Sequence, residues 1–209
     1  MADVLEDEYD KTRRRPPLHL RRKAEPERPF SYEIRPAVES DLPDIREIYN
    51  YYVTNSMVTF DEKRWTIAQW REKFAHLSKQ GMPFLVAQSP SGQVLGYALV
   101  APWKSKSAYR YTVEDSIYLG QAASGKGLGR ALLEALIAAS QEKGIREIVA
   151  AISDRGAEAS IALHEKLGFV EVGRMGRVGF KFGRWLGVVY LQLSLPKLKK
   201  QRPRLFGRA

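Results

Sequence analysis

Apolar positions along this chain alternate between two periods. Ser31 to Pro36 is a short extended run closed by a proline. Ser40-Asp41 starts a helix with Pro43 in its first turn. Leu42, Ile45, Ile48, Tyr49, Tyr52 and Val53 give it one apolar face. A second helix begins near Thr66, carries Ile67, Trp70, Phe74 and Leu77, and stops at Gly81. Three strands are predicted next: PFLVAQ, then VLGYALVAPW after a Ser89–Gly92 turn, then YTVEDSIYLG. The last alternates strictly. Tyr111, Val113, Asp115, Ile117 and Leu119 share one face; Thr112, Glu114, Ser116 and Tyr118 share the other. A glycine-rich loop opens a helix that carries Leu128, Leu132, Ala135, Leu136 and Ala139 and ends at Gly144. IREIVAAI reads as a buried strand and residues 157–167 as a short helix ended by Gly168. FVEVGRM and WLGVVYLQLSL close the domain. The order β-α-α-β-β-β-α-β-α-β-β predicts an α/β fold with helices on both faces of one sheet.

Charge changes the picture less than its total suggests. The 209 residues hold 34 Lys and Arg against 24 Asp and Glu, a net +10 that invites a nucleic-acid reading. Yet residues 196–209 alone carry +6, residues 1–30 carry +1, and residues 31–195 carry +3. Residues 1–30, charged and interrupted by Pro16, Pro17, Pro26 and Pro29, read as a disordered extension. Residues 196–209 read as a basic tail, and 31–195 as the functional domain. With no cysteine there is no thiolate metal site and no cysteine nucleophile. His19, His76 and His164 are too scattered to suggest a metal centre. No apolar run approaches the roughly 18 residues of a membrane helix, and the acidic start is no secretory signal, so a cytoplasmic protein is expected.

The strongest chemical signal is SGKGLGR at 124–130, between a strand and a helix. Gly125, Gly127 and Gly129 let backbone approach a ligand closely. The unpaired N–H groups of the next helix form an anion site, and Lys126 and Arg130 add charge. A diphosphate is the natural guest. The nucleotide-binding patterns fail: no Gly-Lys-Ser/Thr ending exists, and Arg130 occupies the third glycine of the dinucleotide fingerprint.

SIYLGQAASGKGLGRALL resembles the acetyl-CoA signature of the GNAT superfamily of N-acetyltransferases. IYNYYVTNSMVTF, APWKSKSAYRYTVEDSIYL, SIALHEKLGF and GFKFGRWLGVVYLQLSL resemble its phosphinothricin and methionine sulfone (or sulfoximine) branch. The resemblance covers residues 32–195. It implies a mixed, mostly antiparallel sheet and acetyl-CoA as donor, without a metal. It implies a small amino-acid acceptor and a homodimer. Ile117, Tyr118 and Leu119 would pair with the pantetheine arm. Gly125, Lys126, Gly127, Leu128, Gly129 and Arg130 would hold the pyrophosphate. Ser124 and Ala157 depart from the family's usual polar residues, and Phe182, Arg184, Leu186 and Gly187 depart from the branch in the closing hairpin.

Acetyl transfer needs a base for the ammonium and a proton or its equivalent for the leaving thiolate. Glu114, mid-strand on the face of Tyr118, is the expected base; a solvated carboxylate or a pair with Arg110 is the alternative. Asp115, on the other face, reads as structural. The branch resemblance makes His164 the expected general acid. Phe60, Trp103, Lys106, Tyr109 and Arg110, with Lys104 beside them, are expected at the acceptor, where a cation would pair with a carboxylate. Tyr111 and Trp185 are expected in the core. A protein N-terminus or another amine is a competing acceptor. A nucleic-acid or ribosome-binding protein acting through its tails is the competing class.

Overall fold

The computed structural model describes residues 30–197. The expected leader and basic tail lie almost wholly outside the described residues. The elements appear in the predicted order. Strand β1 (Glu33–Pro36) is followed by helices α1 (Leu42–Asn55) and α2 (Ile67–Lys79). Strands β2 (Phe84–Gln88), β3 (Val94–Pro102) and β4 (Thr112–Leu119) come next. Then come α3 (Leu128–Glu142), β5 (Glu147–Ser153), α4 (Glu158–Lys166), β6 (Val170–Lys181) and β7 (Arg184–Ser194). They form one seven-stranded sheet in the order β1-β2-β3-β4-β5-β7-β6. Every neighbouring pair is antiparallel except β4 and β5. A parallel pair needs a crossover, and α3 supplies it.

The two faces of β4 lead to different layers. Tyr118 meets Tyr49 and Tyr52 of α1, with ring centroids 5.2 Å apart in both cases. Tyr49 also packs edge-on against Trp65 and Trp70, so an aromatic cluster fills the space between α1, α2 and the sheet. The odd-numbered side chains of β4 face α3 and α4 instead; Asp115 reaches His164 of α4. Tyr111 and Trp185 are half exposed, not core. Tyr111 lies under the Arg110 guanidinium, 4.6 Å away, and Trp185 packs on Phe180 near the hairpin end.

Sequence signals explain the ends of the early elements. Thr66 accepts from the Gln69 N–H, and the Gln69 side chain accepts from the Thr66 N–H, a capping box at the start of α2. The start of α1 is fixed by Asp41. Its carboxylate accepts two hydrogen bonds of 2.8 Å from Arg35 on β1 and one from the Val38 N–H. Burial alone would raise the Asp41 carboxyl. The Arg35 and Val38 hydrogen bonds, with the Arg35 charge, outweigh it and hold the group below its ordinary value.

That sign predicts a pH signature. Asp41→Ala should cost about 2 kcal/mol at neutral pH, the size of a charge-assisted hydrogen-bond loss. Stability held by a depressed carboxyl is present above its unfolded value and lost as pH falls through the folded one. Urea unfolding curves of Asp41→Ala and the wild type should therefore converge below about pH 4. A difference that persists there rules out the ion pair as the source.

Candidate active site

The centre of the sheet is split. Strands β4 and β5 pair only from Thr112–Glu147 to Glu114–Val149. Beyond that point β4 stays paired with β3 through Leu119, and β5 stays paired with β7 through Ser153. Two strand edges therefore face each other without a ladder. A cavity of about 570 Å³ opens between them, with Glu114 to Leu119 on one wall and Ala150 to Ser153 on the other. Unpaired strand edges accept an extended, amide-bearing chain as an added strand.

The glycine loop closes one end of this slot. Gly125 and Gly127 take left-handed backbone, with φ of +75° and +79°. Gly127 caps α3 without a side chain, and no acidic residue stands in the first turn. The first intrahelical bond runs from Ala131 N–H to Gly127 O, so the N–H groups of Leu128, Gly129 and Arg130 have no helical acceptor. Of the residues expected to hold the donor, Ile117, Tyr118, Leu119, Gly125 and Gly129 line the cavity; Lys126, Gly127, Leu128 and Arg130 do not. Leu128 is buried beneath the loop, and Arg130 pairs with Glu134 at 2.8 Å. Ser124 and Ala157 both line the cavity.

Glu114 stands where the pairing ends, on the aromatic face. Burial is the main cause that raises its carboxyl above the ordinary value; Asp115 adds to this, while Lys104 and Lys73 oppose it. Lys73 of α2 is half-buried, with its ammonium over the rings of Trp65 and Trp70 at 5.3 and 5.4 Å. Burial lowers its pKa, against the pull of Asp61 and Glu114.

The loop between α1 and α2 roofs this side. Buried Lys181 donates to the Thr59 carbonyl at 2.8 Å. The Tyr49 hydroxyl donates to Asp61 at 2.5 Å and lies 3.1 Å from the Thr59 hydroxyl; the Trp65 indole donates to Asp61 at 2.7 Å. Phe60 lines the cavity, and its ring rests on Gly179 of β6, where a Cβ would lie 2.6 Å from the ring. The closing hairpin, where the sequence departs from the branch, thus carries the roof. Gly187 leaves room for Asp154, whose carboxylate accepts from the Gly187 N–H.

The other expected acceptor residues sit elsewhere. Trp103 is 6.0 Å from Tyr190, edge to face, with the Lys104 ammonium 4.3 Å from its ring. Lys106, Tyr109 and Arg110 are exposed around a short 3-10 turn and do not line the cavity. Thr59, which is not among the expected site residues, lines the cavity, and Asp61, Lys73 and Lys181 stand behind it without lining it. Lys73 looks like one more solvated lysine in sequence, and only the two tryptophans around it distinguish it.

His164 is almost fully buried, and neither ring nitrogen is free. Nδ1 lies 2.7 Å from the Ser160 carbonyl, which can only accept, so Nδ1 carries a hydrogen. Nε2 lies 2.9 Å from Asp115 Oδ2, with side-chain exposures of 2% and 1%. Burial pushes the ring's pKa down, but the Asp115 hydrogen bond and charge and the Ser160 carbonyl outweigh it, and the net shift is upward. Asp115, expected to be structural, therefore holds the expected acid. Asp115 and His164 both line the cavity. Among the described residues, no group of three or more potential ligands could hold a metal ion.

Residues 34–189 match the family described as acetyltransferase (GNAT) domain. The chain is 44% identical over 166 residues to an L-methionine sulfoximine/L-methionine sulfone acetyltransferase of Pseudomonas aeruginosa, covering 79% of this chain and 96% of the relative. It is 40% identical over 162 residues to a phosphinothricin N-acetyltransferase of Alcaligenes faecalis, covering 78% and 82%. A phosphinothricin acetyltransferase from Sinorhizobium meliloti, solved with acetyl-CoA, superimposes with a TM-score of 0.76 at 37% identity, covering 86% of this chain and all of that one.

The Phe60–Gly179 contact predicts a selective defect. Gly179→Ala should push Phe60 off its seat and raise KM for the acceptor about tenfold, since a shift of about 1 Å is costly in a fitted site. KM for acetyl-CoA should hold. Steady-state kinetics with each substrate varied in turn checks this, and equal changes in both would remove Phe60 from the acceptor wall.

Proposed function

The chain belongs to the GNAT acetyltransferase family, and from that membership we propose that it moves acetyl from acetyl-CoA to the α-amine of a small amino acid of the methionine sulfoximine, methionine sulfone or phosphinothricin kind. It is an acyltransferase, and its acceptor is an amine. The observation that carries the reading is Glu114, a half-buried carboxylate on an aromatic face at the mouth of the split sheet.

Acetyl-CoA supplies a thioester whose carbonyl carbon is open to attack. The free edge of β4 at Ile117 to Leu119 would hold its pantetheine arm as an added strand. The N–H groups at the start of α3 would hold the pyrophosphate, with Gly125, Gly127 and Gly129 giving access and Lys126 and Arg130 adding positive field. The acceptor ammonium lies against Glu114, which takes its proton. A carboxyl of raised pKa is better matched to that task than an exposed one. Lys104, one of the cations expected at the acceptor, and Lys73, both with fields that reach Glu114, take the acceptor carboxylate. Phe60, which lines the cavity, packs on the acceptor side chain. A C–N bond forms, the C–S bond breaks, the sulfur takes the proton held by the Asp115–His164 pair, and the second proton shed by the nitrogen restores that pair. Acetyl-CoA as donor supports a cytoplasmic site for the reaction.

A homodimer built on β6 is part of this reading. This outermost strand exposes Val170, Val172, Met175 and Val178, and an apolar open edge favours pairing with another chain.

Thiol release from acetyl-CoA should be fastest with methionine sulfone, methionine sulfoximine or phosphinothricin among amino-acid acceptors. No release above background with any amine would sink the assignment. Glu114→Gln should lower kcat by roughly 10²–10⁴ at neutral pH, the usual contribution of a placed base. Light scattering at micromolar protein should give twice the chain mass, and Val172→Glu should halve it; a monomeric wild type rejects the dimer.

A further inference from the structure

Two proton-handling groups stand on opposite faces of one strand, and a single residue lies between them in the electrostatic sense. Glu114 and Asp115 are neighbours on β4, so their side chains leave on opposite sides. Asp115 Oδ2 meets the imidazole at 2.9 Å. Its Oδ1 is buried and has no hydrogen-bond partner among the described residues. Among the described residues the imidazole is thus the side-chain donor to this carboxylate. The ring is fixed at its far end by the Ser160 carbonyl and packed edge-on against Phe169 at 4.8 Å. Only the proton on Nε2 is left to titrate, and Asp115 is the group that accepts it.

We propose that Asp115 is a positioning residue whose carboxylate couples the two proton-handling groups, Glu114 on one face of β4 and His164 on the other, so that one strand residue sets the pH window of turnover. The inference rests on the roles given to Glu114 and His164 above. It extends them to a residue that is given no contact with the acceptor amine or the departing thiolate.

The surroundings support a coupled device. From α4 the ring meets the Ser160 carbonyl and hydroxyl, both uncharged. The residue opposite Asp115 on β3 is Val100. The charges that reach Glu114 are Asp115 through the strand, Lys104 after β3 and Lys73 from α2. Asp115 pushes the same way on both partners: its charge raises Glu114, whose largest upward cause is burial, and it lifts the ring against burial. Removing one negative charge must then lower both groups together. A residue that merely packs would not move both titrations in one direction.

The test is the isosteric variant Asp115→Asn, with Asp115→Ser as a second variant should the first fail to fold. The pH dependence of kcat with a fixed acceptor is expected to shift to lower pH on both limbs. The alkaline limb should move by about one unit, the lower end of shifts caused by an adjacent opposite charge. That is an approximately tenfold loss of kcat well above that limb. The His164 ring titration followed by NMR should fall in parallel. Limbs and ring titration that coincide with the wild type, with kcat lowered uniformly, would overturn the coupling, as would movement of one limb alone. The wild-type background separates this from the parent reading. If neither Glu114→Gln nor His164→Gln affects turnover, the assigned roles fail. If both impair it while Asp115→Asn keeps wild-type limbs, only the coupling fails.

Discussion

The whole site depends on one interruption of hydrogen bonding. Strands β4 and β5 begin as a parallel pair and lose each other after three residue pairs, while each keeps its outer neighbour. A sheet that separates in its middle exposes backbone donors and acceptors that folding normally satisfies. The gap therefore favours a guest able to complete the ladder. It also places Glu114 at the vertex, where the last interstrand pair meets the start of the cavity. Glu114, one wall of the slot and the glycine-capped helix start lie along one strand–loop–helix segment, residues 112–130.

The acceptor side is built differently, from long-range contacts. Lys181 on the closing hairpin and Thr59 on the α1–α2 loop are 122 residues apart and joined by a hydrogen bond of 2.8 Å. Tyr49 and Trp65 both donate to the carboxylate of Asp61 in that loop. A buried ammonium that donates to a main-chain carbonyl is costly unless it is satisfied. Its presence fixes the roof in one position over Glu114. The turn that brings Lys181 there runs through Phe182 and Gly183, both at positive φ, as a tight two-residue hairpin requires.

These two constructions account for what could be read from sequence. The alternation of β4 put Glu114 and Asp115 on opposite faces, and the glycine spacing marked an anion-binding helix start. Both signals are local, so both are legible. The element order and mixed sheet followed from period changes and from the family resemblance. Lys73, Asp61 and Lys181 were not legible, because each acquires its role from residues far along the chain. Lys106 and Arg110 were expected at the acceptor because they precede β4 and are basic. The chain instead turns outward at Ser107–Tyr109, and Arg110 stacks on Tyr111. Asp115 was read as structural because the alternation gave its face but not the imidazole across from it.

The glycine-capped start of α3 has an evolutionary consequence. Recognition there relies on peptide N–H groups, which every residue except proline carries. On the proposed roles, side chains that line the cavity, such as Ser124 and Ala157, could therefore change without erasing donor binding. The roof of the acceptor side has no such freedom, since Phe60, Gly179 and Lys181 act through their particular shapes and charge. On the proposed roles, a change of amine would therefore have to come through the loop and the closing hairpin, while the backbone of the donor half could stay as it is.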